Sequence, residues 1–284
     1  MPEKAPIGVL ASSLSSAFVK SALSGIEGAL AGSGHSMKLL EVEIDDPNHA
    51  NRLIEQMANE NLVSALMYVH MPLNMRQIQL FRDARIPVAY LAGRVDGIDW
   101  CMVDEVKGAY DATQHLLELG HTRIALVSGP LVTLESRLRE DGFLRALKER
   151  GIEFGRERDI KILNFTEGEG YDAVKWLMKL HEHPTAIFVS AGDLTALGVM
   201  SALKDMGRRV PEDVSVVGFD DLEFAATLEP PLTTVRQPLA NMGALLARRL
   251  VHALDHPAAH EPGGDLVDAE LIVRKSTAAP GAGA

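Results

Sequence analysis

The feature that most constrains this chain is an alternation. Short apolar runs rich in β-branched residues are each followed by a stretch with helical spacing, from near the start to beyond residue 218. The first run is Ile7-Gly8-Val9-Leu10-Ala11, ending in polar Ser12 to Ser16. Phe18, Ala22, Ile26 and Ala29 or Leu30 then recur at helical spacing, and Gly32 and Gly34 close that helix. Strands are expected at 37–42, 63–69 and 86–91, with helices starting at Asp46-Pro47 and spanning Asn74 to Ala84. In the second half strands are expected at 124–127, 160–163, 186–189 and 214–218. Helices are expected over Gly108–Leu119, Arg139–Glu149, Gly170–Leu180 and Leu194–Met206. Strand–helix alternation at this spacing argues for parallel sheets covered on both faces. About eight strands in two blocks make the expected fold class α/β, with two doubly wound parallel-sheet lobes.

Composition narrows the function. The formal charge is −11, so the chain repels phosphates and is not built to hold nucleic acid by bulk electrostatics. Cys101 stands alone, which excludes an internal disulfide and a cysteine-rich zinc site. The N-terminus lacks a basic stretch followed by an apolar run, and no apolar run approaches the ~20 residues needed to span a bilayer. A cytoplasmic location with no membrane partner is expected. No GxxxxGK[ST], HExxH or GxSxG occurs, and spacing supports no nucleophile–base pair. Neither a cofactor nor a metal site is expected.

In doubly wound sheets ligands bind beyond the carboxyl ends of the strands. The residues expected in those loops are Ser13, Ser16, His70, Arg94, Arg139, Phe165, Gly192, Asp193 and Asp220; they are mostly polar or charged, which suits a hydrogen-bonding cleft, and Arg139 stands near a helix start just after a strand and loop. A guanidinium offers a planar fork of donors for vicinal hydroxyls or a carboxylate. Asp220 can accept two hydrogen bonds from sugar hydroxyls or a base, or cap a turn. Asp193 precedes a helix and is also a natural N-cap. Ser13 and Ser16 can bind oxygen atoms together with helix N-terminal amides, or merely start the helix. Phe18 and Phe165 are either stacking faces or core, and His70 is either a titrating contact or a satisfied histidine.

Several segments resemble one family. HLLELGHTRIA at 115–125, REDGF at 139–143, VSVVGFDD at 214–221, PLTTVRQP at 231–238 and RKST at 274–277 are similar, in order, to motifs of the LacI/GalR transcription regulators. The likeness runs from about Ile7 to Thr277. It implies a periplasmic-binding-protein-like core of type I, its lobes joined by a multi-strand hinge. The lobes are expected at 6–103 with 239–257 and at 104–238 with 268–277, with 278–284 a disordered tail. It further implies a homodimer paired through Leu194–Met206 and an effector-binding role for Arg139. Of the Asp220–Asp221 pair, Asp221 is expected to be the structural member. Gly192 stands where the family often has Asn, and Ser13 and Ser16 where many relatives have Asp and Asn, so effector identity does not transfer.

The resemblance implies the sensing core of a regulator that takes a small polar, sugar-like effector between its lobes. The family's helix-turn-helix headpiece is expected to be missing from this chain, by trimming or by natural loss, so that operator DNA is reached only through it. A solute-binding protein of an importer shares the architecture but lacks a reason for the GFDD and RxST motifs. An α/β enzyme would require a coupled acid–base or nucleophile pair in the cleft.

Overall fold

A computed structural model describes residues 5–11, 13–14, 16–42, 47–69, 71 and 73–281. The chain divides into two compact units, Met1–Val103 with Pro238–Val267 and Asp104–Gln237 with Asp268–Ala284. It passes from one unit to the other three times, after residues 103, 237 and 267.

The first unit runs β1 (Ile7–Ala11), α1 (Ala17–Leu30), β2 (Met37–Glu41), α2 (Pro47–Asn59), β3 (Ala65–Val69), α3 (Met75–Asp83), β4 (Val88–Leu91) and β5 (Asp99–Val103). The second supplies α4 (Glu105–Glu118), β6 (Ile124–Ser128), α5 (Leu134–Glu149), β7 (Asp159–Lys161), α6 (Glu167–Leu177), β8 (Ala186–Val189), α7 (Asp193–Asp205), β9 (Ser215–Asp220) and β10 (Thr233–Arg236). The chain then returns to the first unit for α8 (Leu239–Asp255) and β11 (Gly264–Val267), and to the second for β12 (Glu270–Ile272).

Each unit has one six-stranded sheet, ordered β11-β5-β4-β3-β1-β2 and β12-β10-β9-β8-β6-β7. Every pairing is parallel except β10 with β12. Strand order reverses beside β1 and beside β6, so the loops after β1 and β3, and after β6 and β8, leave toward opposite faces. Such switch points open a crevice at the strand ends. The doubly wound expectation is met, with four strands more than the apolar runs announced. β5 begins with Asp99 and Trp100, and β10, β11 and β12 are three or four residues long with Thr, Asp and Glu among them, so none forms a continuous apolar run.

The central strands β1, β3, β6 and β8 are buried along their whole length, the pattern of strands covered on both faces. In the second unit Val127, Ile187, Val189 and Val216 pack under Val174, Leu177, Val199 and Leu203 of α6 and α7. In the first, Leu66, Tyr68 and Val88 pack under Ile54, Met57, Ile78 and Phe81. Each fully buried side chain of this size contributes about 1.5–3 kcal/mol. Helix starts carry their own signals. Asn74 and Gln77 close a reciprocal capping box on α3, as do Thr166 and Glu169 on α6.

The C-terminal motif is a strap on β9 and β10. Ser276 Oγ donates to Val216 O (2.6 Å) and accepts from Thr233 N (2.8 Å). His115 Nε2 meets Thr277 Oγ1 at 2.9 Å, and His121 Nε2 meets Ala278 O at 2.8 Å. The expected tail therefore does not begin at Ala278. That residue also receives Ser215 Oγ and donates to it, so it is held by β9 and by the loop before β6. Burial lowers the pKa of both histidines, which keeps them neutral in the fold.

Candidate functional site

The polar cluster of the second unit is built on Arg139. The sequence places this residue near a helix start, but α5 begins at Leu134, where Thr133 caps it by accepting from Ser136 N. Arg139 therefore lies in the second turn, and it is 6% exposed. Its Nε donates to Glu105 Oε2 at 2.6 Å, Nη2 to Glu105 Oε1 at 3.4 Å, and Nη1 to the carbonyl of Ser190 at 2.7 Å. Its guanidinium carbon sits 3.8 Å above the centre of the Phe219 ring. A plane held by a carboxylate fork, a carbonyl and an aromatic face cannot turn freely. Among the described residues these bonds use three of its five N–H groups, which leaves one on each terminal nitrogen for a ligand.

Glu105, first residue of α4 after the Asp104 cap, is itself 3% exposed. Burial pushes its carboxyl up against the pull of Arg139, while for Arg139 burial is overcome by the Glu105 and Asp220 charges and the pKa rises. The 2.6 Å contact and the bidentate approach describe the ionised pair, and that is the state we assign at neutral pH.

Asp220 ends β9 with φ of +113° and is half-buried. It accepts from Gln237 Nε2 at 2.6 Å. Burial pushes its carboxyl up to about 6, opposed by the positive charge of Arg139 and the Gln237 bond. Its placement depends on Gly192. That residue has φ of +119° and ψ of 167°, a region open essentially to glycine alone, and a Cβ there would stand 2.6 Å from Asp220 Oδ2. The missing side chain at 192 is thus the space that Asp220 fills.

Asp193 differs from expectation. Gly192 is the N-cap of α7, and Asp193 is the first helical residue, fully buried. Its Oδ1 accepts from Thr234 Oγ1 (2.6 Å) and its Oδ2 from Leu222 N (2.8 Å). Burial and the nearby Asp220 charge raise its pKa well above the usual carboxylate range. Asp193 is a clamp on β9 and β10. A methyl on Gly218 would collide with its Oδ1, so Gly218 makes room for it. Asp221 is also structural, accepting from Arg236 Nε (2.7 Å) and Arg274 Nη2 (2.6 Å).

The structure therefore brings together Arg139, Asp220 and Gly192 at the strand ends of the second unit, with Asp193 beneath them. Phe165 has φ of +55° and packs on the core of the same unit, its ring against Gly129 and near Ser136. In the first unit Ser13, Ser16 and Phe18 follow β1. Ser16 caps α1 without a side-chain bond, and its N–H donates to Ser13 O at 3.3 Å. The buried stripe of α1 is Val19, Ala22, Leu23, Ile26 and Leu30, which leaves Phe18 half-buried beside it. His70 lies outside the described residues.

Glu105, Phe219 and Gln237 were not expected as members. Glu105 follows β5, the strand that its polar start conceals. Phe219 and Gln237 sit inside the GFDD and PLTTVRQP segments, where only their neighbours carry obvious ligand chemistry. The helix expected to pair subunits, α7, turns most of its apolar residues into its own unit and leaves Leu194 44% exposed. Among the described residues no three His, Cys, Asp or Glu side chains are grouped to hold a metal, and no helix is long and apolar enough to cross a membrane.

Comparison with known proteins gives a consistent set. Residues 113–277 match the periplasmic binding protein-like domain. The ribose operon repressor of Escherichia coli K12 is 30% identical over 263 residues, which cover 88% of this chain and 76% of the repressor. A complex of the transcriptional regulator CelR with cellobiose superposes with TM-score 0.86 at 29% identity, over 97% of this chain and 86% of that one. A LacI family transcriptional regulator of Enterococcus faecium with bound ribose superposes with TM-score 0.84 at 25% identity, over 96% and 99%.

Proposed function

Because the chain belongs to the LacI family of transcriptional regulators, we propose that its ligand-sensing core takes a small, neutral, sugar-like effector on Arg139 and Asp220. The observation that carries this reading is the immobilised guanidinium. Three of its donors are fixed by Glu105 and Ser190, its face rests on Phe219, two N–H groups remain, and the Asp220 carboxylate is near enough for its charge to raise the Arg139 pKa. A donor pair next to an acceptor suits vicinal hydroxyls, which both donate and accept. An anionic effector fits less well, because Glu105 already matches the charge of Arg139 and Asp220 adds a negative one. The ribose- and cellobiose-bound relatives support the same class of ligand.

In this reading Phe165, in the same unit, furnishes a further contact, and Gly192 serves by admitting Asp220. Effector binding shifts a pre-existing conformational equilibrium to the extent that one state binds it better. The protein acts in the cytoplasm as a homodimer. Operator DNA is contacted through a helix-turn-helix headpiece rather than by these acidic units. A coupling of about 1–3 kcal/mol changes operator affinity roughly 5- to 150-fold.

The test is a thermal-shift screen with ribose, cellobiose and other neutral sugars beside sugar phosphates and purines, followed by calorimetry on Asp220→Asn. A hydrogen bond to a charged group contributes about 1.5–3 kcal/mol, so the variant should bind the selected sugar roughly ten- to a hundredfold more weakly. Selection of a sugar phosphate, or unchanged affinity in the variant, would remove this reading.

A further inference from the structure

Away from the effector cluster, the first unit gathers three histidines at intervals of four: His252 in the last turn of α8, His256 at its C-cap and His260 beyond it. The His252 ring lies 5.1 Å from that of His256 and 5.5 Å from that of His260, centre to centre. The positions of the protons follow from Asp99. This carboxylate, at the start of β5, is 2% exposed, and its Oδ2 lies 2.8 Å from His260 Nε2. An ionised carboxylate only accepts, so neutral His260 carries its proton on Nε2 and presents a bare lone pair on Nδ1. That atom is 3.2 Å from Nδ1 of His252.

We propose that His252 and His260 form a binding site for a divalent transition-metal ion of the zinc, nickel and copper group. Imidazole nitrogen selects these ions over calcium and magnesium. Two nitrogens each about 2.0–2.1 Å from a tetrahedral ion lie roughly 3.3 Å apart, close to the separation observed. The metal needs each ring to turn its lone pair off the line joining the nitrogens by roughly 40°, and it moves the His252 proton from Nδ1 to Nε2. The buried carboxylate behind His260 is the outer-shell partner that metal-bound histidines characteristically have, fixing both tautomer and ring orientation.

The surrounding charge does not oppose a cation. Arg249 is engaged by Asp265 Oδ2 (2.8 Å) and Asp99 Oδ1 (3.4 Å), so two carboxylates face one guanidinium. Arg248 lines the same open cavity of about 320 Å³, but it is exposed and reaches solvent. The site is a pair rather than a closed triad, and water completes the coordination. A bound ion pins the connection between α8 and β11 onto the end of α8.

The experiment is calorimetric titration of zinc chloride into tag-free, metal-stripped protein near neutral pH, with nickel chloride as a second probe. One ion per chain should bind and raise the melting temperature. His252→Gln changes an exposed ring, and an unaltered melting temperature without metal shows that its fold is intact. It should weaken zinc at least about tenfold, as should His260→Gln, whereas His183→Gln in the other unit should not. Absence of zinc binding up to hundreds of micromolar, or binding unaffected by His252→Gln, would show that the two rings merely share a hydrogen bond.

Discussion

Glu105→Gln isolates the support of the Arg139 cluster from the cluster itself. The substitution keeps the size and one acceptor but removes the charge that matches Arg139, and the new amide nitrogen meets a guanidinium donor in place of an acceptor. Both side chains are nearly sealed, with 7% and 2% exposed, so water cannot compensate. Breaking a buried ion pair by removing one partner costs about 3–5 kcal/mol. The Ser190 carbonyl and the Asp220 charge remain, which points to the lower end, ~3 kcal/mol. For a unit of this size that is a fall of roughly 6–12 °C in its melting temperature. Differential scanning calorimetry of the apoprotein reads it directly. A double variant, Glu105→Leu with Arg139→Met, should recover much of the loss, because a well-packed apolar pair commonly matches or exceeds a buried ionic one. A Glu105→Gln protein melting within about 1 °C of the parent would refute the claim that this pair is a buried clamp.

Three further outcomes follow from the same geometry. Gly218→Ala should displace Asp193 from Thr234 and cost about 2–4 kcal/mol by urea unfolding, since a buried carboxylate loses its partner; a loss under 0.5 kcal/mol would contradict the close approach. Asp220 has a folded pKa of about 6 against a usual 3.8, so it is ionised above that value and neutral below it. Affinity for a hydroxyl-bearing effector should therefore fall up to about tenfold per pH unit below 6, whereas the stability this group gives the apoprotein runs the other way and is lost as pH rises from about 4 to 6. Calorimetry across pH checks the first, and Asp220→Asn should flatten it. His121 and His115 are held below their usual 6.5, so their contribution is complete above 6.5 and is lost as pH falls below it. His121→Gln should lessen the drop in melting temperature between pH 7 and 5; an unchanged profile would exclude His121 as the source.

The legibility of this chain in its sequence divides along physical lines. The fully apolar strands β1, β3, β6 and β8 and the helices beside them are plain, because burial on both faces forces continuous hydrophobic runs. The edge strands β11 and β12, and β5 with its buried Asp99, satisfy themselves through side-chain and ladder hydrogen bonds and so leave no such run. Arg139 and Asp220 were legible as chemistry at strand ends. The partner that immobilises Arg139 was not, since a glutamate in the first turn of a helix is ordinarily a solvated cap residue. Asp193 shows the opposite error. A polar residue before an apolar helix reads as a cap or a ligand contact, and only the positive φ of Gly192 shifts the helix start by one residue and turns the carboxylate inward onto Thr234.

The most direct test of the central claim is a crystal structure with the sugar selected by the thermal-shift screen. The account predicts ring hydroxyls within hydrogen-bond distance, about 2.7–3.2 Å, of both terminal nitrogens of Arg139 and of a carboxylate oxygen of Asp220, with the Glu105 fork still closed. A sugar seated elsewhere while both of these groups touch only protein and water would contradict it.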